Sequence, residues 1–166
     1  MRSVVVLALV LAASPARADD DEPTVKGRPV DKGTLGVGII VGEPTGVCAK
    51  LYLRDDRAIQ AAAGSAFIGG GLQVHADYLF HPWILQDKDS FVLPVYIGPG
   101  VRLFDHVHNN NSNLAIGIRG VIGMLFDFKN VPLDAFLEVA VAPGYEFGGE
   151  GFGFALNAGA GVRYYF

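Results

Sequence analysis

The chain has 166 residues, 51% of them apolar, with 22 glycines, a single cysteine and a formal net charge of −4. An acidic balance argues against a nucleic-acid partner, which calls for a basic face, and a lone Cys48 excludes an internal disulfide framework. Mean hydropathy is positive, yet beyond the first eighteen residues no apolar run approaches the roughly 20 residues of a spanning helix. A membrane-bound reading therefore leaves only strands closed into a barrel, because unpaired backbone groups cannot be left in hydrocarbon.

Residues 1–18 read as a cleavable export signal: Arg2 supplies the positive start, Val4 to Ala13 the apolar core, and Ala16-Arg17-Ala18 the small-x-small cleavage pattern. An anchoring helix is the weaker reading, since the apolar run is too short. Residues 19–33, charged and holding Pro23 and Pro29, read as an exposed lead-in, and 34–166 form one domain.

Alternation then predicts the strands in order. Leu35, Val37, Ile39 and Val41 share one parity, and Gly42 to Gly46 turns the chain into a return strand with Val47, Ala49, Leu51 and Leu53 on one face and Cys48, Lys50 and Tyr52 on the other. A third strand covers about Arg57 to Ala66, and Gly69-Gly70-Gly71 reverses it. The fourth, about Leu72 to Phe80, sends Gln73, His75 and Asp77 to the polar side. His81 to Ser90 is expected to be a longer connection. Strand five follows with Leu93 to Leu103 and a bulge at Gly98-Pro99-Gly100, since proline cannot donate to a ladder. Asp105 to Asn113, with its three asparagines, is expected to be a loop. Strand six pairs Leu114, Ile116, Ile118, Ile122 and Met124 against Ala115, Gly117, Arg119 and Gly123. Strand seven has Leu133, Ala135, Leu137, Val139 and Val141 against Asp134, Phe136, Glu138 and Ala140. The last runs from about Phe152 to Phe166 with Phe166, Tyr164, Val162 and every second residue before them apolar. The expected fold is all-β: an antiparallel, up-and-down transmembrane barrel of about eight strands.

The inward parity collects Lys50, His75, Asp77, Arg102, Arg119, Asp134, Glu138 and Arg163, with Gln60, Gln73, Tyr96, Asn157 and Tyr165 among them. The signs nearly cancel. An eight-stranded barrel is only wide enough for its own side chains, so these groups are expected to form a salt-bridged plug rather than line a pore. Glycines and alanines on the same parity make room for the arginines.

A hydrolase acting on lipid would need a nucleophile, a base and an acid within hydrogen-bond reach. His75 and Asp77 share a face, but i and i+2 residues lie roughly 6 to 7 Å apart along a strand, and Ser65 has the outward parity. His75 is expected to be a satisfied interior hydrogen-bonder, and no catalytic residue is assigned. His106 and His108 stand two apart and could in principle hold a metal, but that spacing is common in polar segments; no metal or cofactor is expected. Trp83, Tyr52, Tyr78, Phe80, Phe126, Tyr145, Phe147 and Phe166 fall near strand ends, as interfacial aromatic girdles do.

The signal, the alternating strands and the terminal Tyr164-Tyr165-Phe166 resemble the small outer-membrane barrels of the OmpA/OmpX class. More narrowly, Gly42-Glu43-Pro44-Thr45-Gly46, Pro94-Val95-Tyr96-Ile97-Gly98 and Gly161-Val162-Arg163-Tyr164-Tyr165-Phe166 resemble a bacterial family of small barrels with no assigned function. The resemblance implies the bacterial outer membrane as location, the lipid bilayer and the barrel-assembly machinery as partners, and Tyr164 with Phe166 as the signal that machinery reads. The chain stops at the last strand, so no peptidoglycan-binding domain is implied. A monomer with a structural or surface-interaction role is expected, with His106, His108, Asn109, Asn110 and Asn111 as the exposed loop for any partner. The alternatives are a lipid A-modifying enzyme, a narrow channel, and a soluble lipocalin-like periplasmic binding protein.

Overall fold

The computed structural model describes residues 33–66, 71–108, 111–147 and 151–166; the segment expected to be an export signal and nearly all of the expected lead-in lie outside them. Eight antiparallel strands, and no helix among the described residues, close into a ring. They are β1 (Leu35–Gly42), β2 (Thr45–Arg54), β3 (Arg57–Ser65), β4 (Leu72–Asp87), β5 (Phe91–His108), β6 (Asn111–Phe128), β7 (Leu133–Glu146) and β8 (Gly151–Tyr165). Each strand pairs with its sequence neighbours, and β1 closes on β8 from Gly36↔Tyr165 to Gly42↔Gly159. Closure leaves no strand without partners on both sides along the shared height of the ring, which removes the free edge that open sheets must protect.

Local chemistry sets the reversals. At β1–β2, Gly42 adopts φ of +129°, a conformation L side chains avoid. Its N–H donates to Thr45 Oγ1 at 2.9 Å while the Thr45 hydroxyl donates back to the Gly42 carbonyl at 3.1 Å. Gly151, at φ of +84°, opens β8 in the same left-handed region.

Three expectations are corrected. His81 to Ser90 is not a long connection: β4 continues to Asp87, and only residues 88–90 turn the chain, with the Lys88 N–H donating to the Phe91 carbonyl at 2.9 Å. Pairing of β3 with β4 ends at Arg57↔Phe80, and Pro82 falls in the register shift between Phe80 and Trp83 against β5, an irregularity of the kind that accommodates a missing donor. Asp105 to Asn113 is not a loop: β5 and β6 pair through His106↔Asn113, Val107↔Ser112 and His108↔Asn111. Backbone ladders are indifferent to side-chain polarity, so a polar sequence marks exposure rather than the end of a strand; Asn109 and Asn110 lie outside the described residues. Nor is there a bulge at Pro99. Registers Ile97↔Ile122, Pro99↔Gly120 and Gly100↔Arg119 run straight through, and the shifts fall instead between Phe80 and Gln86. The missing donor removes one ladder bond without displacing the strand.

The two faces are inverted relative to a water-soluble protein. Val47, Ile118, Leu156 and Phe154 point outward and are 61 to 69% exposed, whereas Lys50, Asp77, Arg119, Asp134, Glu138 and Arg163 point inward and are buried. Packing inside is set by aromatic–glycine pairs in register. Tyr96 faces Gly123, Phe136 faces Gly161 and Tyr165 faces Gly36, and in each case a Cβ on the glycine would run into the ring.

Candidate functional site: the polar lumen

One continuous chain of hydrogen bonds crosses the lumen. Arg163 on β8 grips Asp134 on β7 bidentately, Nε to Oδ1 at 3.0 Å and Nη2 to Oδ2 at 3.2 Å, and its Nη1 donates to Gln60 Oε1 at 2.5 Å. Gln60 on β3 passes the connection on, Nε2 donating to Glu138 Oε2 at 2.8 Å. The same oxygen accepts from the Tyr96 hydroxyl at 2.8 Å, and Glu138 Oε1 accepts from Arg119 Nη2 at 2.8 Å. Arg119 Nη1 then donates to Asp77 Oδ2 on β4. Tyr165 seals the Asp134 end, its hydroxyl donating to Oδ2 at 2.5 Å, and the Arg163 guanidinium lies 4.1 Å over the Phe136 ring. Fork-shaped arginine contacts of this kind combine charge with directional hydrogen bonding.

Lys50 and Arg102 make further contacts elsewhere in the lumen. Lys50 Nζ lies 2.8 Å from His81 Nε2 and over the rings of Tyr52 and Tyr96 at 4.6 and 5.1 Å. Among the described residues Arg102 makes one side-chain hydrogen bond, Nη1 to Asn157 Oδ1 at 3.3 Å, stacks 4.7 Å over Phe104, and forms no ion pair. The reason is depth. Arg102 pairs with His75 and Gly117, one inward step nearer the β5–β6 reversal than Gly100, which faces Asp77 and Arg119.

His75 is not the satisfied hydrogen-bonder expected. It is fully buried, its Nε2 stays 3.7 Å from Asp77 Oδ2, and neither ring nitrogen has a hydrogen-bond partner. Asp77 Oδ1, Gln73 Oε1, Arg102 Nε and Arg119 Nε are also buried without partners. The lumen is thus graded: Asp134, Arg163, Gln60 and Glu138 are linked throughout, and the orphaned atoms begin at Arg119 and Asp77 and continue through His75, Gln73 and Arg102 toward the β5–β6 and β7–β8 reversals. His75, Asp77 and Glu138 offer ligand atoms within 4.8 Å of one another, but the Arg119 guanidinium already pairs with both carboxylates. Above this level a cavity of about 300 Å³ opens between β5, β6, β7 and β8, with Arg102 and Phe104 on one wall.

Of the remaining predicted residues, Tyr164 and Phe166 point outward, 47 and 73% exposed, with ring centroids 5.0 Å apart. Tyr52, expected in an outer aromatic girdle, is instead buried inside against Tyr165 and His81. His106 and His108 lie in β5 and Asn111 in β6. Ser65 is exposed on the outer face, so it does not join His75. Sequence reasoning placed Gln60, Tyr96 and Tyr165 inside but did not single them out as the bridging residues; their shared parity with Glu138 and Arg163 was the signal available. His81 was missed because it was assigned to a connection. Comparison with known protein families, with curated proteins and with solved structures found no match.

Proposed function

We propose that the chain is an outer-membrane barrel with a structural role in the envelope, held by lipid outside and shut by its own side chains inside. The observation that carries this reading is the inversion of faces: an apolar, exposed belt on all eight strands around a charged, buried interior. A ring with that outer surface is stable only where hydrocarbon replaces water around it. Strand length supports it, since β2 to β8 hold between 9 and 18 residues against the roughly 9 to 11 that cross a bilayer at a tilt. On this reading the turns at residues 55–56, 88–90 and 129–132 face the periplasm, and their shortness fits that side. Tyr164 and Phe166 on the closing strand serve as the feature recognised by the assembly machinery, the barrel works as a monomer, and it catalyses no reaction.

Gel mobility of outer-membrane fractions tests the proposal. A folded barrel resists detergent until heated, so unboiled and boiled samples should migrate differently. Recovery of the chain in the soluble periplasmic extract, with no such shift, would replace this reading with a lipocalin-like binding protein.

A further inference from the structure

We propose that the cavity between β5, β6, β7 and β8 binds a single-chain amphiphile whose anionic head, a carboxylate or phosphate, sits against Arg102. This goes beyond an envelope role and does not depend on it. Four observations converge. The first is the cation itself: Arg102 borders the cavity, forms no ion pair among the described residues, and keeps a buried Nε–H without an acceptor. A half-buried arginine that has Glu43 in electrostatic range but no acceptor on its Nε keeps hydrogen-bond donors that an anion can take. Second, His75 lies beside it in register, and a neutral imidazole always presents one N–H, here buried and unpartnered. Third, the walls are made of small side chains. Ala115, Ala142 and Ala155 alternate with Gly117, Gly144 and Gly153, and a Cβ added at Gly153 meets nothing within 4 Å. A volume of about 300 Å³ is at the lower end of small-molecule sites, which run from roughly 300 to 1,000 Å³.

The fourth observation gives the ligand its orientation. Glu146 also borders the cavity, but it pairs with Ala115, level with Phe104 and one inward step nearer the rim than Arg102. An anionic group is therefore drawn past Glu146 to Arg102. Tyr145, Phe152 and Phe154, which also border the cavity, and Phe147 beside them are each at least half exposed, an apolar surface for the rest of a chain too long for the cavity. A bare anion would use none of it.

Native mass spectrometry of the full exported chain, released from a non-ionic detergent, tests the assignment with three probes: dodecyl phosphate, dodecanol and inorganic phosphate. Dodecyl phosphate should give a saturable one-to-one adduct. Arg102→Gln should weaken it at least tenfold, and Gly153→Leu, which fills the cavity without touching the charge, should weaken it similarly, both variants keeping the strand signature in circular dichroism. The second variant decides the matter if the first fails to fold. Dodecanol binding as tightly as dodecyl phosphate would overturn the role of Arg102. Inorganic phosphate displacing the amphiphile at equal concentration would make this a free-anion site and overturn the proposal, as would adducts of mixed stoichiometry that neither substitution changes. The titration reads the same way whether the chain partitions into membranes or stays soluble.

Discussion

Glu138 accepts from Gln60, Tyr96 and Arg119, side chains that come from β3, β5 and β6, so one carboxylate ties three other strands to β7. Glu138→Ala strands three buried donors at once, one of them charged. Removing one partner of a buried ion pair typically costs about 3 to 5 kcal/mol, and the urea unfolding midpoint of the variant in detergent should fall accordingly; an unchanged midpoint would show that the pairing does not hold the lumen. Arg102→Gln makes the opposite case. It gives up one hydrogen bond to Asn157 and no ion pair among the described residues, so its unfolding free energy should drop by only about 0.5 to 1.5 kcal/mol. The contrast between two inward charged residues separates the linked part of the lumen from the part with orphaned atoms.

At the scale of elements, neighbouring strands fit because a ring on one lies in the gap left by a glycine on the next. Tyr96 on β5 occupies the space beside Gly123 on β6, and its hydroxyl reaches Glu138 only from that position. Gly123→Val should therefore both crowd the ring and break the hydrogen bond, costing about 1 to 3 kcal/mol and lowering the yield of refolded protein. Gly153→Ala, near the start of β8 with open space around it, should change stability by no more than about 0.5 kcal/mol. The long β4–β5 hairpin follows the same logic of local satisfaction. It runs seven residues past Phe80, through Asp87, and is tied down by Lys129, whose Nζ donates to Asp87 Oδ1 at 2.5 Å and whose N–H donates to the Ser90 carbonyl at 3.0 Å.

For the whole molecule, the chain Asp134–Arg163–Gln60–Glu138–Arg119–Asp77 runs across the lumen from β7 to β4. Ions cannot pass such a layer without breaking buried charge pairs, so the protein inserted into planar bilayers should show no discrete conductance steps. Steps in the wild-type protein, absent from a boiled control, would mean that the layer opens. The cavity does not contradict closure, because it occupies only the end beyond Arg102, with the network beneath it.

Much of the fold was legible in the sequence because a strand has a period of two and this chain holds to it. The parity of Leu35 to Val41, Leu72 to Phe80, Leu133 to Val141 and Phe152 to Phe166 assigned every one of those residues to its observed face. Of the eight polar residues expected inside, Lys50, His75, Asp77, Arg119, Asp134, Glu138 and Arg163 are buried and Arg102 is half-buried. Sequence could not say which of them meet, since contact across a lumen depends on strand tilt and depth rather than on parity. Thus Gln60 became a bridge, Lys50 found His81 on a segment taken for a connection, and Arg102 and His75 were left outside the charged chain. Strand ends were equally hidden. Proline and asparagine announce turns locally, but where β4 stops depends on whether β5 is there to accept its hydrogen bonds, and only the closed ring decided that.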